Sequence, residues 1–169
     1  MMNAYAIVTE SRTGNTAQLA QRLAAILPKD NCFYAGPPSA EALAAPVIWV
    51  GFWTDKGQAD ARTLSFLQTL YGKTVYLFGT AGFGTSEAYF EQIIQRTISA
   101  LPADNTVAGA FMCQGKMAPS VRARYVEKLA KQPENAQIIE LIANFDQALN
   151  HPDAADLERF EHWAKALLE

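Results

Sequence analysis

The sequence predicts an α/β fold: a doubly wound, five-stranded parallel sheet in the order 2-1-3-4-5, with extra C-terminal helices. Three observations lead there. Short apolar, β-branched runs alternate with helical stripes from residue 4 to residue 113, the pattern of strands joined by crossover helices. The run at 46–51 (PVIWVG) is apolar at consecutive positions, as in a strand covered on both faces. Beyond Cys113 only helical periodicity continues.

Residues 4–9 (AYAIVT) are the first predicted strand. It runs into Ser11-Arg12-Thr13-Gly14-Asn15-Thr16, after which Leu19, Leu23, Ile26 and Leu27 mark one face of a helix that Pro28 ends. Residues 31–35 make a weaker second strand, and Pro37-Pro38 a loop. The third strand, 46–51, is followed by a polar loop at 54–58 and a helix carrying Leu64, Leu67 and Leu70, closed by Gly72. Residues 74–78 (TVYLF) form the fourth strand, followed by a loop from Gly79 to Thr85. The next helix has the cleanest stripe: Phe90, Ile93, Ile94, Thr97, Ile98 and Leu101. Residues 106–113 (TVAGAFMC) are the fifth strand, weakened by Gly109. Residues 119–149 then form a helical addition, with stripes at Val121, Tyr125 and Leu129 and at Ile138, Ile142, Phe145 and Leu149. Asn150-His151-Pro152-Asp153 opens the last helix with Pro at a helix-start position. The 169 residues are read as one domain.

Composition removes several classes of function. Half the residues are apolar and 18% are charged, so the chain is not disordered. The formal net charge of −3 shows no basic excess, and nucleic acid is not expected as a partner. No apolar run approaches the ~20 residues of a membrane span. The start, Met1-Met2-Asn3-Ala4-Tyr5, has no cationic region before an apolar stretch, so no signal peptide is expected. The expected setting is reducing cytosol. Cys32 and Cys113 lack metal-ligand spacing, and the two histidines, His151 and His162, both fall in the helical C-terminal part. No metal site and no Ser–His–Asp hydrolysis is expected. The cysteines read as small buried hydrophobes. His151 reads as part of the last helix's start, and His162 as exposed. Tyr125, Phe145, Phe160 and Trp163 read as core. Arg122, Arg124, Lys128 and Lys131 read as a solvated face, or as a surface for an acidic partner.

In doubly wound sheets ligands bind outside the carboxyl ends of the strands. The first such loop places Ser11, Thr13, Asn15 and Thr16 around Gly14. Backbone N–H groups and the positive end of the following helix would make an anion cradle suited to a phosphate monoester. The loop is neither a Walker loop nor a G-x-G-x-x-G fingerprint; an ordinary Ser/Thr-rich helix cap is the alternative. The third-strand loop begins Gly51-Phe52-Trp53, rings that either cap the core or stack on a flat ligand. The fourth loop offers Thr80, Gly82, Phe83 and Gly84. Together these loops describe a ligand with one phosphate and a large flat apolar ring. Flavin mononucleotide (FMN) fits.

Ser11-Arg12-Thr13-Gly14-Asn15-Thr16 resembles the [ST]-x-T-G-x-T phosphate loop of flavodoxins. Leu77-Phe78-Gly79-Thr80-Ala81-Gly82-Phe83-Gly84 is similar to their fourth-strand loop, and the resemblance spans roughly residues 4–117. It implies phosphate contacts from Ser11, the Arg12 backbone, Thr13, Gly14, Asn15 and Thr16. It implies ring contacts from Phe52, Trp53, Thr54 and Gly57, and from Thr80, Ala81, Gly82, Phe83 and Gly84. It also implies a peptide that flips on flavin reduction, for which Asp55-Lys56-Gly57 is the candidate. Cys113-Gln114-Gly115-Lys116-Met117 and Asn150-His151-Pro152-Asp153 resemble a subgroup of small bacterial flavodoxin-domain proteins that includes accessory partners of flavin-dependent reductases.

The sequence also departs from the family. Flavodoxins are usually strongly acidic, whereas this chain is nearly balanced and carries Lys56 in the third-strand loop. A cation there would favour the anionic reduced flavin. The resemblance thus implies an FMN-binding protein that passes electrons to a redox partner, with no catalytic side chain. One alternative is an FMN-dependent NAD(P)H oxidoreductase acting on a quinone-like or conjugated small molecule, with Gln114, Lys116 and Met117 near that substrate. A second is a non-redox binding module. The expected state is a monomer or weak homodimer.

Overall fold

The computed structural model describes residues 3–84 and 86–169. Met1, Met2 and Thr85, on which parts of the N-terminal and fourth-loop readings fall, lie outside the described residues. The strands are β1 (Tyr5–Thr9), β2 (Cys32–Gly36), β3 (Val47–Asp55), β4 (Gln58–Ala59), β5 (Thr74–Ala81) and β6 (Thr106–Gln114). The helices are α1 (Asn15–Ile26), α2 (Ala61–Leu67), α3 (Glu87–Ile98), α4 (Pro119–Lys131), α5 (Ala136–Ala148) and α6 (Ala154–Ala166). The strands β2-β1-β3-β5-β6 pair in parallel in that order, and the two-residue β4 pairs antiparallel with β3. Counting the parallel strands alone, this is the expected 2-1-3-4-5 sheet.

Side-chain alternation divides the interior into two cores. Ala6, Val8, Ile48, Val50 and Phe52 face one side and pack with Phe66, Leu67, Leu70 and Ile93, under α2 and α3. Tyr5, Ile7, Trp49 and Phe78 face the other and pack with Leu19, Leu23, Phe160 and Ala164, under α1 and α6. Phe145 and Phe160 are buried, Trp163 is half-buried against the second core, and His162 is exposed, as expected.

Three sequence expectations need correction. The third strand does not stop at Gly51. It continues to Asp55, and the stretch expected as a polar loop is a hairpin in which Asp55 pairs with Gln58 and Thr54 with Ala59. Lys56 (φ 54°) and Gly57 (φ 84°) both have positive φ, the signature of a two-residue type I′ turn. Pro152 does not begin the last helix: Asp153 is its N-cap, and Asp153 and Asp156 form a reciprocal capping box. Finally, α4 is not a core helix. None of its residues is buried, and Tyr125 is only half-buried.

The centre of the sheet depends on two reciprocal gaps. In the β3–β5 ladder Gly51 pairs with Phe78 and Gly79 pairs with Phe52. A Cβ at Gly79 would sit 2.4 Å from the Phe52 ring and 2.7 Å from Met112 Sδ. Phe52 is fully buried and its ring has nowhere to go. Gly79→Ala is therefore expected to lower the unfolding free energy by about 1–3 kcal/mol, read by urea denaturation. A loss within the ~0.5 kcal/mol typical of innocuous surface changes would show that the ring is not fixed there.

Candidate flavin-binding site

A cavity of about 490 Å³ opens at the carboxyl ends of β1, β3 and β5, within the usual size range of ligand sites. Its walls come from the first loop, the β3–β4 hairpin, the loop after β5, and the segment that leads from β6 into α4.

The first loop is built around the start of α1. Gly14 is the N-cap at φ 90° and has no side chain with which to cap the helix. A Cβ at Gly14 would meet nothing within 4 Å, so glycine is there for its backbone and not for space. Ser11 Oγ accepts from Ala17 N–H at 3.2 Å and holds the loop against the helix. The N–H groups ahead of Ala17 and the positive helix end are left facing an open loop. Thr13 Oγ1 and Asn15 Nδ2 donate to the Lys116 carbonyl at 3.1 and 2.8 Å. They tie this loop to the chain leaving β6. Gly115 makes that contact possible, since a Cβ there would sit 2.3 Å from Asn15 Nδ2. Asn15 Oδ1 is buried without a hydrogen-bond partner, and Asn15 lines the cavity.

The Thr16 hydroxyl is engaged within the fold. It is fully buried, donates to the Phe52 carbonyl at 3.0 Å, and shares a 3.0 Å hydrogen bond with Thr80 Oγ1. It fastens α1 to β3 and β5 beneath the cavity floor. Thr54 Oγ1 adds a 2.8 Å bond to the Thr80 carbonyl.

The aromatic walls follow from the longer β3. Because the strand continues past Gly51, Phe52 and Trp53 point to opposite faces. Phe52 enters the core and does not reach the cavity, while Trp53 lines it. The Arg12 guanidinium lies over the Trp53 ring, 5.3 Å from its centroid, within cation–π range. Phe83 lines the wall contributed by the loop after β5. That loop is held from behind. Gln114 Nε2 and Asn144 Nδ2 donate to the Gly82 carbonyl at 3.2 and 3.0 Å. Gly82 itself packs on Met117, where a Cβ would be only 2.3 Å from Cγ. Gln114, expected near a substrate, is buried in this brace instead.

Of the expected site residues, the cavity gathers Arg12, Thr13, Asn15, Trp53, Thr54, Gly57, Thr80, Gly82 and Phe83, with Lys116 and Met117. Ser11, Gly14, Thr16, Phe52, Ala81 and Gly84 support these from outside the wall. Ala81 is buried in the core and Gly84, at φ 76°, packs on Tyr89. The sequence reading missed Tyr89, Ala118, Val121, Arg124 and Tyr125, which complete the lining. The only available signal was spacing: Val121, Arg124 and Tyr125 share one face of a helix that begins two residues after Met117.

The hairpin turn has a contact from α3. The Gly57 carbonyl accepts from Arg96 Nη1 at 3.3 Å. A flip of the Lys56–Gly57 peptide would convert type I′ to type II′, whose first central position takes glycine. Lys56 occupies that position, so the geometry opposes a flip there.

Other reactive groups are committed elsewhere. His151, Asp153 and Asp156 place potential ligand atoms within 4.8 Å of one another. They serve the start of α6: His151 Nδ1 lies 2.6 Å from Asp156 Oδ2, Arg159 pairs with the same carboxylate, and the His151 carbonyl accepts from Lys116 N–H at 2.9 Å. Burial, aided by the nearby Asp156 carboxylate, pushes the Cys113 thiol well above its ordinary range and keeps it protonated.

The donor set fits FMN. A helix start whose N-cap is glycine suits a phosphate, two aromatic walls suit a flat ring, and Asn15 Oδ1 awaits a donor. Comparison with known proteins agrees. Residues 6–165 match the Flavodoxin domain family. The chain is 40% identical over 177 aligned positions to a flavodoxin-like domain-containing protein, BilS, of Clostridium symbiosum (strain WAL-14163), covering 94% of this chain and 93% of that one. It is 33% identical over 122 positions to BilS of Clostridioides difficile (strain CD3), covering 72% and 69%. Among solved structures, oxidised flavodoxin 2 from Bacillus cereus superimposes with a TM-score of 0.59 at 16% identity, covering 98% of this chain and 97% of that one. The flavodoxin of Streptococcus pneumoniae TIGR4 gives 0.58 at 17%, with coverage of 98% and 97%. At these identities the structures speak for the fold alone, while the match along nearly the whole sequence establishes that this chain belongs to the flavodoxin family of FMN-binding, electron-transferring proteins.

Proposed function

We propose that the chain holds FMN in this cavity and passes electrons to a separate redox partner protein. The observation that carries this reading is the convergence of Trp53 and Phe83, from two adjacent strand ends, with the glycine-capped start of α1 on one cavity. When bound, FMN supplies the electron chemistry. The chain's residues bind, orient and shield it. The first loop would take the phosphate through its backbone N–H groups at the start of α1. Trp53 and Phe83 would flank the ring, and Val121 and Tyr125 of α4 would limit water access from the third side. In this reading the 169 residues work as one domain, and the 119–149 addition covers the cofactor. Among the described residues the wall carries no histidine, and Asp55 is its one carboxylate.

The test is direct. Titration of the purified protein into FMN should quench flavin fluorescence to saturation at one equivalent, and an unquenched titration sinks the proposal. Addition of NADPH to the loaded protein under argon should bleach the flavin slowly or not at all. Rapid bleaching would instead identify a self-contained reductase.

A further inference from the structure

The charges on the cavity wall are lopsided. Arg12, Lys56, Lys116 and Arg124 line it against Asp55 alone, in a chain whose net charge is −3. None of the four cations forms an ion pair among the described residues. Arg12 and Lys116 belong to the two segments joined at the first loop, next to the cradle for the phosphate. A phosphate brings about −1.5 to −2 charges, which those two can answer. Lys56 on the hairpin and Arg124 on α4 are then left with only Asp55 against them.

Both residues are placed by features that core packing does not require. Lys56 sits at φ 54°, where glycine or asparagine would be less strained. The turn that imposes this conformation is pinned by Arg96 on the Gly57 carbonyl. Arg124 comes from a helix with no buried residue. That helix is attached to α5 partly by Arg122, whose Nε lies 2.8 Å from Asp146 Oδ1, which turns the Val121–Arg124–Tyr125 face toward the cavity.

Resting on the reading that this cavity binds FMN, we infer that Lys56 and Arg124 shift the site's preference toward the reduced cofactor, so that its potential lies above that of the same site without the two cations. The charge balance gives the reason. Two-electron reduction by an external reductant, with one proton taken from solvent, converts a neutral oxidised ring to a reduced ring carrying one negative charge. A cation on the wall attracts that charge and gains nothing from the neutral ring, so its effect is wholly differential.

The experiment is a dithionite titration of the FMN-loaded protein against reference dyes, paired with the dissociation constant of oxidised FMN from fluorescence. Lys56→Gln and Arg124→Gln are each expected to lower the ratio of reduced to oxidised affinity by about five- to tenfold. A tenfold change corresponds to about 30 mV for a two-electron couple. The double variant should approach the product of the two. Arg124→Lys keeps the charge and should stay within about twofold of wild type. Lys165→Gln makes the same charge change on the exposed face of α6, away from the cavity, and should leave the ratio unchanged. A double variant within about twofold of wild type overturns the inference, as does a Lys165→Gln shift of equal size. Both outcomes leave FMN binding intact, whereas wild-type protein that binds no FMN overturns the parent reading instead.

Discussion

Phe160→Ala is expected to remove about 3–5 kcal/mol of stability, a large part of the roughly 5–15 kcal/mol available to a domain. Phe160 is fully buried on α6. Its ring lies 5.4 Å from Phe78, 5.2 Å from Phe111 and 5.7 Å from Trp163, centroid to centroid. Truncation would open a void bounded by Phe78 of β5, Phe111 of β6 and Trp163 of α6 itself, and the two rings held in the sheet leave the site little room to collapse. A second tie on α6 is the Arg22–Glu161 ion pair at 2.7 Å, between half-exposed and partly exposed side chains. Exposed pairs of this kind contribute about 0–1 kcal/mol, so Arg22→Ala should barely move the urea midpoint. The two variants together decide whether packing or charge anchors the last helix. A Phe160→Ala loss no larger than that of Arg22→Ala would show that packing does not. The effect should reach the cofactor site as well, because α6 begins at the His151–Asp156 cap and the His151 carbonyl fixes Lys116.

Much of this architecture was written locally in the sequence. Strand runs, helical stripes and the Gly14 turn follow from short-range periodicity and backbone preference, and these are the features that place the phosphate loop. The failures share a non-local cause. Ending the third strand at Gly51 put Phe52 and Trp53 in one loop with one role. Four more strand residues give them opposite roles, since each step along a strand reverses the face. The hairpin was invisible because Lys56-Gly57 lacks the Asn-Gly or Asp-Gly signature of a type I′ turn, and because β4 gains its partner only when β3 is already in the sheet. Tyr125 and Arg124 sit on a helix whose stripe, Val121, Tyr125 and Leu129, has the spacing of an ordinary core face. That the face borders a cavity depends on how α4 and α5 return over the sheet edge, and periodicity carries no information on that. Thr16 shows the converse case. Its place in the motif was legible, but its burial beneath Phe52 and Thr80 was not.

Riboflavin, which has the ring and ribityl chain of FMN without the phosphate, is expected to bind at least about 100-fold more weakly than FMN, a difference of roughly 3 kcal/mol from two charge-assisted hydrogen bonds. The first loop has the means to make them. Gly14 has no side chain with which to cap the start of α1, and Ser11 on Ala17 N–H keeps the loop closed around the remaining donors. The helix end adds a favourable field for a dianion. Gly14→Val tests the same donors without touching the ring. At φ 90° a β-branched residue is strongly disfavoured, and the open space around the position means that the cost is conformational and not a clash. The variant should lose FMN affinity until it approaches that of riboflavin, while its riboflavin affinity stays near the wild-type value. Trp53 and Phe83 set the ring contribution, and they are unchanged in both comparisons. If FMN and riboflavin bind wild-type protein equally well, the loop grips no phosphate, and the cavity holds its ligand by the aromatic walls alone.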